Sequence, residues 1–219
     1  MLKENLQKFL KEIENGNNLG EKITLVGATK FVDIERVTSA IDLGLTHVGE
    51  NRAQEFRDKF SLYHPCEKHF IGTLQENKLK YVVGKADIID SVSSIGLAQA
   101  IDKKAEQLKI VQKVMLEINA GDEESKTGIG LNEAKPLYKS IIGLKNLELV
   151  GVMAMLPISE DRAVLQTACQ KVREFYDQIK TQTPTVKYLS VGMSSDYKIA
   201  IENGSNMIRI GSALFGKRS

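Results

Sequence analysis

The sequence has no tryptophan, two cysteines, three histidines and four prolines among its 219 residues. Cys66 and Cys169 stand far apart and fall in no Cys-x-x-Cys or Cys/His spacing. That excludes a disulfide framework and a structural zinc site, and predicts reduced thiols in a cytoplasmic setting. His47, His64 and His69 show no metal-ligand spacing either. No apolar run is longer than a strand, so no membrane-crossing helix is expected. The first residues, MLKENLQKFLKEIENG, are charged and helical rather than a signal peptide. Neither sign of charge prevails: 30 Lys and Arg against 28 Asp and Glu leave +2 and a pI near 8.4. That balance argues against a nucleic-acid or membrane surface. Low-complexity segments, linkers and residue-level repeats are also missing, so one domain spanning residues 1–219 is expected.

What is present is alternation. After an amphipathic helix over residues 2–15, with Leu6, Phe9, Leu10 and Ile13 on one face, short apolar strands alternate with helices. Strands are predicted at 22–30, at about 47–49, and at 69–72, 87–91, 111–119 and 147–156, with two more between 188 and 211. The intervening helices are predicted at 34–43, from 52, and at 75–83, 95–108, 132–142 and 160–181, with short ones after the last two strands. Strict alternation implies a parallel sheet. Eight units with near-continuous apolar strands favour a closed (β/α)8 TIM barrel, with one extra N-terminal helix, over an open sheet.

In such a barrel, chemistry belongs at the C-terminal ends of the strands. Lys30 ends strand one; Glu50 and Asn51 end strand two; Thr73, Gln75 and Asn77 follow strand three. Ser91, Ser93 and Ser94 follow strand four, Asn119 ends strand five, and Met153 and Met155 end strand six. The stretch LSVGMSSDYKIAIENGSNMIRIGSALFG reads as strand, turn, helix, strand, turn, helix. Its two turns, Gly192-Met193-Ser194-Ser195-Asp196 and Gly211-Ser212, set small hydroxyl residues beside helix starts, a pattern that suits a phosphate. Arg209 lies between them and points to the same side as Gly211. Lys30 would stand across from this cradle. Partial desolvation at the rim favours the uncharged amine, a nucleophile for aldehydes.

VGATKFV, GENRAQE, HFIGTLQENK, ESKTGIG, GVMAMLP, LSVGMSSDYKIAI and MIRIGSALFG together resemble the YggS/PROSC family of pyridoxal phosphate homeostasis proteins. The resemblance runs in order from about Thr24 to Gly216. It implies a fold-type III barrel like the N-terminal domain of alanine racemase, binding pyridoxal 5'-phosphate (PLP) as an aldimine on Lys30. It places Ser194, Ser195, Gly211 and Ser212 around the phosphate, Arg209 near the pyridine nitrogen and Asn51 near the ring, and counts Met193 among the cofactor-binding residues. A cation beside that nitrogen disfavours its protonation and weakens the ring as an electron sink. The resemblance therefore implies a cofactor carrier and buffer without established turnover, with PLP-requiring apoenzymes as acceptors. Relative to alanine racemase a C-terminal β domain is missing, and with no swapped domain a monomer is expected. Lys68 and Thr73 depart from the family pattern on strand three, away from the expected cofactor contacts.

Two other function classes fit the residues: a PLP enzyme with weak racemase-type activity, and a Schiff-base aldolase or phosphosugar isomerase with Glu50 as acid–base. Lys126 is a candidate second PLP site or transfer residue, with Lys78 and Lys217 behind it. Tyr197 is expected to staple its helix to the barrel, His69 to be a hydrogen-bonded core residue, and Glu50 to pair with a rim lysine.

Overall fold

Eight parallel strands close on themselves in sequence order: β1 (Thr24–Ala28), β2 (His47–Glu50), β3 (Glu67–Phe70), β4 (Ile88–Val92), β5 (Gln112–Asn119), β6 (Leu147–Met155), β7 (Tyr188–Val191) and β8 (Met207–Ile210). The closing pair runs from Thr24↔Met207 to Gly27↔Ile210. The computed structural model describes residues 1–121 and 127–216. Ser125, Lys126 and Lys217 lie outside the described residues.

Helices fill the connections: α1 (Leu2–Glu12) before the barrel, then α2 (Ile34–Asp42), α3 (Ala53–Lys59), α4 (Leu79–Val82), α5 (Ile95–Leu108), α6 (Leu131–Ile142), α7 (Arg162–Gln182), α8 (Tyr197–Glu202) and α9 (Ser212–Phe215). Side-chain caps set several starts. Asp33 accepts from the Arg36 N–H at 2.8 Å, Ser94 from Leu97 at 3.1 Å and Asp161 from Ala163 at 2.8 Å. Each such cap is worth about 1 kcal/mol. The helix expected over 75–83 is instead a 3-10 turn, Glu76–Lys78, followed by the single turn of α4. This stretch leaves helical φ/ψ at Val83, and Gly84 then adopts φ +77.

The helices bury their apolar faces against the outside of the barrel, while Val26, Ile88, Met115, Met153 and Met207 pack together inside it. An eight-stranded barrel is just wide enough to be filled by such layers. α1 rests beside α9 and α2, with Leu6 and Phe9 fully covered. Tyr197 is the expected staple. Its ring meets Phe9 edge-on at 5.5 Å and its hydroxyl donates to Glu12 at 2.6 Å. Among the described residues no helix is long and apolar enough to cross a membrane.

Candidate functional site

A cavity of about 600 Å³ opens at the C-terminal ends of the strands. Lys30 and Asn51 line it from the β1 and β2 ends; Met193, Ser194 and Ser195 from the turn after β7; and Arg209, Gly211 and Ser212 from β8 and its turn. All eight residues singled out in the sequence for a cofactor thus meet at one cavity.

Lys30 follows two residues after β1 and is half-buried. Register carries Val26, Ala28 and then Lys30 toward the inside of the barrel. Buried Thr29 ties this exit to β2: its N–H reaches the Gly49 carbonyl at 2.8 Å and its hydroxyl reaches the Glu50 carboxylate at 3.1 Å. The next residue, Phe31, adopts φ +61, a costly conformation for a bulky side chain. Its N–H donates to Glu55 at 3.1 Å, which holds the turn, and its ring lies 5.2 Å from the Lys30 Nζ.

Glu50 does not face the cavity. Its carboxylate is 1% exposed and accepts from the Asn51 and Arg52 N–H groups at 2.7 and 3.1 Å, with the Lys59 ammonium 3.5 Å away. Burial raises its pKa and Lys59 opposes that shift. The expected pairing with a lysine is present and is structural: it fixes the turn that presents Asn51. Gly72 completes this corner, since a Cβ there would lie 2.0 Å from the Asn51 carbonyl oxygen.

The two serine turns are built differently from expectation. α8 and α9 are single short helices of 6 and 4 residues, too short for a strong macrodipole. The Met193 N–H is taken by Asp196 at 2.6 Å, which shapes the first turn. Gly192 makes that turn possible with φ +103, and a Cβ there would press within 2.8 Å of Tyr197 and Ala200. Among the described residues, no hydrogen bond uses the N–H groups or hydroxyls of exposed Ser194 and Ser195, nor the hydroxyl of Ser212. The donors available to an anion are therefore these, rather than a helix end.

Arg209 lies on the cavity floor, 4% exposed. One guanidinium nitrogen donates to the Ser190 carbonyl and hydroxyl, both at 2.7 Å, and the other to the Ala154 carbonyl at 3.1 Å and to the Met155 Sδ at 3.5 Å. Burial lowers its pKa, while Asp90, Asp196 and Glu117 counter that shift.

Two groups, Glu117 and Asp90, carry no signal that the sequence reading used. Glu117 on β5, 2% exposed, lines the cavity; one carboxyl oxygen accepts from the Thr127 hydroxyl at 2.5 Å and the other has no partner among the described residues. Period-two alternation puts Glu117 on the same side as Asn119, which was the available clue. Buried Asp90 holds His69 at 2.9 Å, and His69 meets His47 at 3.1 Å. His69 is thus the hydrogen-bonded core residue expected. Thr73 lines the cavity, although it was read as remote, because β3 ends at Phe70 and Thr73 falls in the following loop. Lys68 is remote, paired with Asp87 at 3.1 Å. Met153 packs inside the barrel, whereas Met155 reaches the cavity. Ser94 caps α5, and Ser93 borders another hollow with it. Ser91, Gln75, Asn77, Lys78 and Asn119 do not line the cavity.

The model of the alanine racemase N-terminal domain matches residues 2–219. The pyridoxal phosphate homeostasis protein of Aquifex aeolicus is 37% identical over 218 residues, covering 98% of this chain and 94% of its own. A structure described as an unknown protein from Bifidobacterium adolescentis superposes with a TM-score of 0.90 at 31% identity, over 97% of this chain and 94% of that one. PipY of Synechococcus elongatus, solved with PLP bound, superposes with a TM-score of 0.86 at 27% identity, over 99% of this chain and 100% of its own.

Proposed function

This chain belongs to the pyridoxal phosphate homeostasis protein family, and from that footing we propose that it holds PLP reversibly at the barrel mouth and delivers it, without turning over a substrate. The observation that carries the reading is the single cavity joining the Lys30 amine to unused donors on Ser194, Ser195 and Ser212. Bound there, PLP supplies an aldehyde that condenses reversibly with a primary amine.

The residues fit that group at each of its ends. The Lys30 amine would hold the group at its aldehyde end, and the two serine turns would hold the phosphate, a dianion that exposed N–H and hydroxyl donors suit. Arg209 lies on the cavity floor with its fork already committed to Ser190, Ala154 and Met155, so it would offer a bound ring fixed positive charge rather than a movable proton. Positive charge there keeps a neighbouring ring nitrogen unprotonated. Asn51, held by Glu50 and admitted by Gly72, would flank a ring bound in this cavity. Thr29 and Glu55 fix the chain on either side of Lys30, which limits how far the amine can wander.

The purified protein is expected to be yellow, with a visible band abolished by borohydride and the reduced label mapped to Lys30. A label on another lysine would displace Lys30 from this role, and a colourless protein after incubation with PLP would remove the carrier reading. Incubation with L- and D-amino acids tests the absence of turnover: α-proton exchange at enzymic rates would make the protein a racemase-type enzyme instead.

A further inference from the structure

One wall of the cavity is left unused by the contacts assigned above. Those contacts come from the β1, β2, β7 and β8 ends. The remaining wall is formed by Thr73, Glu117, Thr127 and Met155, from the ends of β3, β5 and β6 and their loops. In a barrel closed in sequence order, β5 stands across from β1. A cavity of about 600 Å³ leaves space on this side beside one pyridine ring and its phosphate arm.

Glu117 is the ionisable group of that wall. Thr127 fixes one of its oxygens, and the other is buried with nothing to accept from among the described residues. Leaving a buried carboxyl oxygen unpaired costs about 1–3 kcal/mol or more, so a ligand that brings a donor to this oxygen gains that energy on binding. Arg209 cannot swing to meet it, being tied to Ser190 and Ala154. Burial raises the Glu117 pKa; Thr127 and Arg209 oppose this and Asp90 on β4 adds to it. An incoming cation would relieve that burden. An ionised carboxylate only accepts hydrogen bonds, and an ammonium only donates them.

We propose that Glu117 marks an ammonium subsite, where a small primary amine binds beside the cofactor and displaces it from Lys30. The inference rests on the proposed function, since it concerns release of what Lys30 holds. The bound ammonium gives one proton to the free oxygen of Glu117. The lone pair so exposed attacks the carbon bonded to the Lys30 nitrogen. A new carbon–nitrogen bond forms and the carbon–Lys30 bond breaks. Lys30 leaves as an amine, carrying the protons shed by the incoming nitrogen, and Glu117 later returns its proton to solvent. One carbon–nitrogen double bond replaces another, and nothing is oxidised or reduced.

The subsite is tested without cofactor first. Protein carrying ¹³C at glutamate carboxyls is titrated with methylammonium. The resonance that Glu117→Gln removes is expected to shift saturably, and acetamide, an uncharged analogue, to leave it in place. No shift, or the same shift with acetamide, overturns the subsite. PLP-loaded protein is then mixed with methylamine or with Nα-acetyl-lysine amide, following by rapid ultrafiltration the PLP that leaves the protein, since the displaced imine keeps a visible band of its own. Release is expected to saturate with amine, and Glu117→Gln to slow the amine-dependent part of the rate, taken above each protein's own release into buffer, about tenfold or more. Saturation by methylamine alone identifies free small amines as the source. Saturation by both admits lysine side chains. An identical, unsaturated rise in wild type and variant overturns the proposal. Thr127→Val, which removes the hydrogen bond that positions Glu117 and helps keep it ionised, is expected to weaken the saturation midpoint several-fold. Failure of the visible band to form would fall on the carrier reading alone, because the carboxyl titration reports the subsite independently.

Discussion

The two ends of the barrel enclose cavities of similar size, about 690 Å³ at the N-terminal end and about 600 Å³ at the C-terminal end. The first lies between α1 and the starts of β1 and β2, walled by Leu10, Ile13, Ile23, Leu25 and Leu45. Its inward polar group, His47, is already bonded to His69, and its lysines, Lys11 and Lys22, stand in solvent. Among the described residues, the second gathers donors with nothing to donate to and a carboxyl oxygen with nothing to accept from. Volume alone would choose the wrong end. Unmet hydrogen-bonding capacity, which a folded chain normally eliminates, separates a ligand site from a packing hollow.

The sharpest way to break this contrast is Lys30→Ala. It is expected to abolish borohydride labelling and weaken PLP binding at least about 100-fold, with residual binding through the phosphate. Equilibrium dialysis with a spectrum of the bound fraction reads both effects; a full visible band in the variant would mean that another lysine carries the ligand. Gly72→Ala comes next. Its Cβ would lie 2.0 Å from a backbone oxygen, so the Asn51 corner must move. A stability loss of about 1–3 kcal/mol in urea melts is expected, with weaker PLP binding. Ser194→Ala combined with Ser195→Ala removes two hydroxyl donors and is expected to weaken PLP about tenfold while leaving pyridoxal, which lacks the phosphate, unchanged. Equal losses for both ligands would move the phosphate elsewhere.

At the opposite end, Thr46→Trp fills part of the larger cavity and is expected to leave PLP affinity within about twofold, if that hollow is only packing. The smallest effect concerns acid. Burial, and then the neighbouring His69, push the His47 pKa from 6.5 down to about 4. The unfolded chain therefore binds more protons between these values. Stability attributable to His47 is complete above pH 6.5 and is lost as pH falls toward 4. The loss is on the order of 1 kcal/mol after allowing for the ring's partial exposure. His47→Asn should flatten that part of a pH–stability curve; an unchanged slope would assign it to other groups.

Much of this was legible in the chain because the governing patterns are local. The helix Ile95–Leu108 shows its extent in sequence, and Lys30 and the serine turns stand where apolar strands stop. The third helix was overread because its apolar pattern says nothing of where tertiary packing lets the turn tighten. Glu117 and Asp90 escaped for a different reason. Strands of a closed barrel are covered on both faces, so a polar residue within one stands out only once the inward face is known. Asn119 was noticed because it ends a strand, and Glu117, two residues earlier on the same face, was not.

Pairing of β8 with β1 has one more consequence. The sheet has no outer strand offering a row of unsatisfied amides and carbonyls to another chain. On the proposed carrier reading, the protein passes repeatedly through a state with its mouth unfilled. Seamless closure means that this state exposes side chains but no template for cross-β growth, so emptying the carrier is not in itself a step toward aggregation.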